Sequence, residues 1–368
     1  MNANVMIDAR WLAGGIGTYT KQLLAGICQS PDGFDVRAIA RQRDAKLVAQ
    51  WCPRVKVINV PTYSLREQLA IPWAAKGCDL LHVPHYNAPL LHQGPLLVSI
   101  HDVIHITDPV YRRGVQAWFY ARPMLNLVAR KADHIVTVSE YSKAQIVEQL
   151  GVSSSKVTAI YHGVNSQFCC IERSEAFAAV SEVCGIQGPY ILYLGSLKPH
   201  KNISRLLQAF ALLRKRRDIP QKLMIVGDDA RWKRPLVEEC SRLGIQDNTT
   251  FVPYVSQELL PKVYAGAELL VMPSTIEGFG LPVLEAMASG TPVVCSRAAS
   301  LPEVAGDAAL YFDPASAEEL AQRIEELLNS RELQESLRAK GLERAKQFTW
   351  EESTRKHVEL YHRLLGMN

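Results

Sequence analysis

Two carboxylates bracket a glycine pair in Glu277-Gly278-Phe279-Gly280-Leu281-Pro282-Val283-Leu284-Glu285. Gly278 and Gly280 admit backbone conformations that other residues resist and let main-chain amides approach a ligand. Pro282 suits the first turn of a helix, where a missing N–H costs nothing. The segment therefore reads as a loop feeding a helix N-terminus, whose free N–H groups and dipole favour a phosphate. Carboxylates flanking an anion are repelled by it and need hydroxyl partners; a sugar and a ribose offer them. The alternative is a plain strand–turn–helix connection with solvated glutamates. The position after the apolar run Leu269–Pro273 favours function, because ligand loops of α/β sheets lie at strand C-termini.

Gly195-Ser196-Leu197-Lys198-Pro199-His200-Lys201-Asn202 follows another apolar run. Lys201 is expected to open a helix, where a cation opposes the dipole, a cost that makes sense beside an anion. Otherwise Lys201 merely flanks a cap at Asn202. Gly14-Gly15-Ile16-Gly17 follows the first run but lacks the G-x-G-x-x-G spacing of a dinucleotide loop, which disfavours an NAD-dependent oxidoreductase. His101-Asp102 ends a further run, with His105 a weaker candidate nearby; a semi-buried structural histidine is the even alternative. Ser139 before Glu140-Tyr141-Ser142-Lys143 reads as a helix N-cap. Asp228-Asp229 is not a D-x-D metal–diphosphate pattern, and no other cluster has metal-ligand spacing, so no metal is expected.

These loops need strands and helices to hold them. Strand candidates in the first half are 5–7, 36–39, 55–58, 80–83, 96–100, 135–138 and 157–160, with helical patterns over 18–30 and 118–132 between them. The pattern restarts after Gly185 with strands 190–194, 223–226, 250–252, 269–272 and 292–295 and helices 203–217 and 234–243. Such alternation predicts parallel sheets with crossover helices. The stretch 167–188 has no clear strand and is the expected linker, and a last helix is expected over 350–365. Two such halves predict a ligand site at the strand C-terminal ends, in the crevice between them.

With 368 residues the chain is long enough for two domains. Its N-terminus reads as a strand rather than a signal peptide, and no apolar run reaches transmembrane length. The eight cysteines are scattered without a C-x-x-C pair and are expected to be reduced thiols of a cytosolic protein. Residues 1–182 carry 18 Lys+Arg against 14 Asp+Glu, and the rest 23 against 23, so the whole net charge of +4 lies in the first part. That is too weak for nucleic acid and fits an anionic ligand, a light touch on an anionic membrane, or ordinary scatter.

Taken together the motifs resemble glycosyltransferase family 4, of α/β GT-B architecture with two Rossmann-like domains facing across a cleft, over nearly the whole chain. Within it the chain looks most like bacterial mannosyltransferases of O-antigen or exopolysaccharide assembly. The resemblance implies an acceptor-side domain over 1–182, onto which the helix 351–368 packs back, and a nucleotide-sugar domain over 183–350. It implies that Glu277 bonds donor-sugar hydroxyls and that Glu285 bonds the ribose. Gly278, Phe279, Gly280 and Leu281 would offer backbone contacts, Lys201 would neutralise the leaving diphosphate, and Gly15 would approach it from the first domain. His101 would sit near donor sugar and acceptor, and Gly227 and Tyr254 near the nucleoside. Many relatives carry arginine where this chain has Ser196, and some where it has His200, so Arg297, Lys198 or His200 would supply the second cation.

The implied reaction is retaining, metal-independent transfer of a hexose from a nucleotide sugar, without a cofactor. GDP-mannose is the first expectation for the donor, then a UDP-sugar or GDP-rhamnose. The acceptor is a saccharide or a polyprenyl-diphosphate-linked saccharide at the inner face of the cytoplasmic membrane. Arg112-Arg113, Trp118-Phe119-Tyr120 and Arg122 are the expected peripheral membrane contact, the alternative being aromatics packed inside the domain and arginines on a solvated face. A nucleotide-sugar 2-epimerase and a non-catalytic nucleotide-sugar-binding subunit share the architecture.

Overall fold

The computed structural model describes residues 3–30, 33–108 and 115–367, without the side chains of 115–119. The chain divides into two compact units, Met1–Gly163 with Thr349–Asn368, and Val164–Phe348.

The first unit is built on a seven-stranded sheet of β1 (Asn4–Asp8), β2 (Asp35–Ala40), β3 (Val55–Val57), β4 (Leu80–Val83), β5 (Leu96–Ser99), β6 (His134–Thr137) and β7 (Val157–Ala159). Their order is β3-β2-β1-β4-β5-β6-β7 and every pairing is parallel. β4, β5 and β6 are buried along their whole length, which is why they read in sequence as continuous apolar runs rather than alternating ones. The Glu140–Leu150 helix starts where Ser139 Oγ accepts Ser142 N–H at 3.0 Å and stops at left-handed Gly151. The Gly14–Gln29 helix starts four residues before the expected Thr18, so Gly14 and Gly15 form its first turn rather than a loop.

The terminal helix Trp350–Leu365 belongs to this first unit. Its Val358, Leu360 and Tyr361 share a core with Ile7, Tyr19 and Leu24. A buried hydrogen-bond chain runs through that core. His357 Nδ1–H donates to the Ser353 carbonyl at 2.7 Å, so its Nε2 accepts from Tyr19 at 2.9 Å. Ser99 then donates to Tyr19, His82 Nε2–H to Ser99, and Tyr361 to His82 Nδ1, at 2.9, 2.8 and 2.7 Å. The direction is consistent only with neutral imidazoles. Burial, with a neighbouring histidine, pushes His82 well below its ordinary pKa and His357 down to about 4.

The second unit has a six-stranded parallel sheet of β8 (Tyr190–Leu194), β9 (Lys222–Val226), β10 (Thr249–Val252), β11 (Leu269–Met272), β12 (Val293–Ser296) and β13 (Ala309–Phe312), ordered β10-β9-β8-β11-β12-β13. β13 has no counterpart among the sequence expectations: it is a four-residue edge strand with Leu310 and Tyr311 half-buried, a weak pattern. The expected boundary at 182/183 is corrected to 163/164. The stretch read as a linker holds the helix Arg173–Cys184, capped by Glu172. That helix packs into the second unit: Arg173 donates to the Ala267 carbonyl at 3.0 Å, and Lys262 pairs with Glu175 at 3.2 Å. The far boundary falls at 348/349 rather than 350/351. Among the described residues no helix is long and apolar enough to cross a membrane.

Candidate functional site

In the second sheet the strand order reverses between β8 and β11, and loops from neighbouring strands on either side of such a reversal diverge to leave a crevice at their C-terminal ends. The loops that leave these two strands carry Lys201 and Glu277. Pro199–Lys201 forms a single 3-10 turn, not the start of the helix; the helix Ile203–Arg216 begins after Asn202, held at φ 56°. This turn aims Lys201 Nζ at Glu277 Oε1, 2.5 Å away. Ser274 donates to the same oxygen at 2.7 Å. Glu277 is 7% exposed and Ser274 fully buried, so a cation and a carboxylate meet where water is nearly excluded.

Neighbouring side chains fix both loops. Asn202 Nδ2 donates to the carbonyls of Pro273 and Pro314 at 3.0 and 2.9 Å. Thr275 N–H donates to the His200 carbonyl at 2.8 Å. Ser300 Oγ lies 3.0 and 2.9 Å from the carbonyls of Glu277 and Phe279. Gly280 caps the helix Leu281–Ala288 at φ 102°, and a Cβ there would stand 2.8 Å from Leu301 Cδ2. A glycine is thus required where the loop turns into the helix, in whose first turn Pro282 carries no N–H and Val283 N–H donates to the Gly280 carbonyl at 2.9 Å.

Glu285 lies one turn inside that helix, and Tyr264, itself wholly buried, donates to its Oε2 at 2.6 Å. Burial raises the Glu285 pKa to about 7, with the tyrosine hydrogen bond opposing the rise. Glu277 and Glu285 therefore occupy different environments, one beside a cation and one beside a phenol.

Of the other expected donor residues, Ser196 is half-buried and its carbonyl accepts from Tyr193 at 2.7 Å. Gly227 has a packing reason: a Cβ there would be 2.0 Å from the Gly195 carbonyl oxygen. Tyr254, just beyond β10, is 73% exposed. Phe279 buries its ring edge-on to Phe348, 6.0 Å between centroids, which leaves only its backbone for a ligand. Gly278 and Leu281 are half-buried. As to a second cation, Arg297 faces Glu319 at 3.9 Å and His200 is buried, whereas Lys198 forms no ion pair among the described residues. Among those residues no group of three or more His, Cys, Asp or Glu is arranged to hold a metal ion.

In the first unit the order reverses between β1 and β4. Gly15, in the first helical turn, has open space where a Cβ would stand. His101, after β5, donates Nε2–H to the Pro84 carbonyl at 3.1 Å and lies edge-on to Tyr19 at 5.0 Å. Burial lowers its pKa, opposed by that hydrogen bond and by Asp102, so Nδ1 is the accepting nitrogen of a neutral ring. Asp102 accepts from Ile104 N–H at 3.0 Å.

Sequence reasoning missed a buried network at this end. Arg10 pairs with Asp8 at 2.8 Å and Glu67 at 3.1 Å, all three without side-chain exposure. Asn87 donates to Glu67 at 2.5 Å, and Tyr120 donates to Asn87 at 2.5 Å. Trp11 stacks on His85 at 3.8 Å and meets Tyr63 edge-on at 5.3 Å. Arg10 Nη1 and Trp11 Nε1 are buried without a hydrogen-bond partner among the described residues. Its one sequence signal is Asp8-Ala9-Arg10 at the end of the first strand. Of the expected membrane cluster, Arg112, Arg113 and the side chains of Trp118 and Phe119 lie outside the described residues.

Residues 185–344 match the family described as Glycosyl transferases group 1, and residues 13–168 that described as Glycosyltransferase Family 4. The chain is 33% identical over 316 residues to the O-antigen chain mannosyltransferase B of Escherichia coli, an alignment covering 84% of this chain and 81% of that protein. Sucrose-phosphate synthase from Thermosynechococcus elongatus superposes with a TM-score of 0.81 over 99% of this chain and 100% of its own, at 22% identity. Anabaena HepE in complex with UDP and glucose does so with a TM-score of 0.80 over 98% and 100%, at 19% identity. At such identities the structural likeness speaks for the fold.

Proposed function

The chain belongs to the family 4 glycosyltransferases of GT-B fold, and from that premise we propose that it is a retaining, metal-independent mannosyltransferase of polysaccharide synthesis, using GDP-mannose and a saccharide or lipid-linked saccharide acceptor. The observation that carries this reading is the Lys201–Glu277 contact at the sheet's reversal point, just before the helix Leu281–Ala288 begins. A cation and the positive end of a helix dipole are what a departing nucleoside diphosphate needs as its negative charge grows, and preorganised charge supplies that stabilisation without reorganisation. When the diphosphate arrives, Lys201 has an anion to turn to, and Glu277 is released to accept hydroxyls of the donor sugar. Glu285 accepts from the ribose.

Retention then follows from same-face attack. The acceptor oxygen forms its bond to the anomeric carbon as the bond to the diphosphate oxygen breaks, and that phosphate oxygen takes the acceptor proton. Mannose is favoured by the mannosyltransferase named above, which aligns over most of both chains. For the acceptor, the aromatic cluster of Trp11, Tyr63, His85 and Tyr120 supports a saccharide face at the strand C-termini of the first unit.

Incubation of the purified protein with GDP-mannose, GDP-rhamnose and UDP-sugars, with and without EDTA and lipid-linked saccharides, tests this reading. Transfer from GDP-mannose that survives EDTA and leaves an α-linked product is expected. Loss of transfer in EDTA, restored only by a divalent cation, would remove the proposed charge mechanism. Conversion of donor without acceptor would make the protein a 2-epimerase instead.

A further inference from the structure

Tyr63 stands at φ 59°, a left-handed backbone that a bulky residue rarely adopts, and it is 46% exposed. Such strain persists only where the surroundings hold it, and it gathers at ligand sites. Here one buried carboxylate does the holding. Ser64, the next residue, donates its N–H to Glu67 Oε1 at 3.1 Å. Asn87 donates to the same oxygen, and its own Oδ1 accepts from Tyr120. Arg10 holds the other Glu67 oxygen. Glu67 thus fixes two aromatic residues that both reach solvent, Tyr120 being 39% exposed. Their rings stand 5.7 Å apart at 81°, a corner with one face and one edge to offer. Trp11 also meets Tyr63 edge-on, and its Nε1, like Arg10 Nη1, is buried without a partner among the described residues, two donors suited to hydroxyl oxygens. Behind the rings Arg10 faces two carboxylates, Asp8 and Glu67, and Arg41 lies on the Thr62 hydroxyl at 3.3 Å. Among the described residues this network carries no net positive charge with which to hold a phosphate or a uronate.

We propose that Tyr63 and Tyr120 form a stacking corner for a neutral pyranose ring of the acceptor, with Tyr63 determining specificity and Glu67 positioning both rings. A pyranose shows C–H bonds on its faces, slightly positive against the negative face of an aromatic ring, and keeps its hydroxyls at the rim for donors and water. The strained backbone at Tyr63 has a use in this arrangement: it keeps the ring at the surface, where a sugar can reach it. A neutral sugar is favoured over an acidic one because the charges behind the rings already balance or leave an excess of carboxylate. The inference deepens the acceptor reading above and rests on it for the sugar's part in transfer, but stacking itself needs no donor.

The test titrates the full chain, without donor, with methyl α-mannoside, methyl α-glucoside and methyl glucuronide by saturation-transfer NMR, and uses the same glycosides as acceptors in the transfer assay. Saturation of the C–H protons of the neutral glycosides is expected, with little or none on the glucuronide. Tyr63→Ala and Tyr120→Ala should each weaken binding, and raise the acceptor KM, by about two- to twelvefold, the scale of one aromatic contact, while the donor KM stays unchanged. Tyr63→Phe keeps the ring and should bind as the wild type does. Asparagine accepts a left-handed backbone, so Tyr63→Asn should keep or raise the melting temperature while affinity falls; a purely structural tyrosine would not give that split. Glu67→Gln should raise the acceptor KM and leave kcat and the donor KM alone. If its melting temperature shows misfolding, Tyr120→Phe, which removes only the tether to Asn87, decides the positioning role by the same split. Equal binding of the glucuronide, no binding of either neutral glycoside, or unchanged binding by folded Tyr63→Ala and Tyr120→Ala would overturn the proposal. Transfer whose acceptor KM ignores both rings sinks this inference alone, and saturation that depends on the rings without any transfer sinks the enzymatic reading alone.

Discussion

Lys201 and Glu277 hold each other in the ligand-free protein, so changing one alters the state of the other. Glu277→Gln should abolish transfer while nucleoside-diphosphate affinity holds or rises, because Lys201 is released from its competitor. Lys201→Ala should weaken the diphosphate complex by roughly 1.5–3 kcal/mol, about 10- to 150-fold, and nucleoside binding far less. Calorimetry on both variants separates the roles, and parallel losses would merge them. Glu285 has a different signature. Its folded-state pKa of about 7 lies above the ordinary 4.5, so through this group the fold loses stability as pH rises between those values. An ionised carboxylate accepts both ribose hydroxyls more strongly than a neutral carboxyl, so binding below pH 7 should release a proton and weaken as pH falls, by at most about tenfold per pH unit. Comparing binding heats in buffers of different ionisation enthalpy reads that proton, and Glu285→Gln should lose it. Glu277, Glu285 and Lys201 were legible in sequence because type and position beside a glycine loop suffice. Ser274 and Tyr264 were not, since their significance is a partner met only after folding.

The helix Leu281–Ala288 depends on one backbone position. Gly280→Ala must hold φ 102° and place its methyl against Leu301. The left-handed backbone alone costs about 1–2 kcal/mol, which for a unit of this size lowers the melting temperature by about 2–4 °C per kcal/mol. Gly15 makes the opposite case. A Cβ there meets nothing within 4 Å, and its φ is not positive, so Gly15→Ala should leave the melting temperature level or slightly raised. If the glycine serves ligand approach, donor affinity should nevertheless fall; an alanine variant with full affinity would remove Gly15 from the site. The same contrast marks what sequence reveals about elements. Twelve of the described strands were legible: the central ones, buried on both faces, leave unbroken apolar runs, while the half-buried β3, β7 and β10 show through their β-branched residues. The start of the Gly14–Gln29 helix was misjudged because glycines argue locally for a loop, and here the helix begins through them. The Arg173–Cys184 helix was hidden because only Ala176 and Val180 of it are buried, too thin a face to show as a period.

At the scale of the molecule, the two units carry titrating groups of opposite sense. The buried histidines with depressed pKa values, among them His82, His162 and His357, all belong to the first unit. The stability they contribute is complete above pH 6.5, the unfolded value, and is lost as pH falls through their folded values. For His357, a fall from 6.5 to about 4 corresponds to about 3 kcal/mol over that window. A charged imidazole at His82 or His357 also reverses a donor in the chain from Tyr361 to Ser353, which ties the terminal helix to β4 and β5. In the second unit Glu285 works the other way, its neutral form favouring the fold as pH falls from 7. Hydrogen exchange, corrected for intrinsic rates, should therefore show that moving from pH 8 to pH 5 loosens peptides over 80–99 and 350–365 while those over 269–288 stay as protected or gain protection. His357→Gln, which keeps an amide without a titrating ring, should flatten the change in the first unit. Equal loosening of both units would show that the histidine chain does not set the acid response.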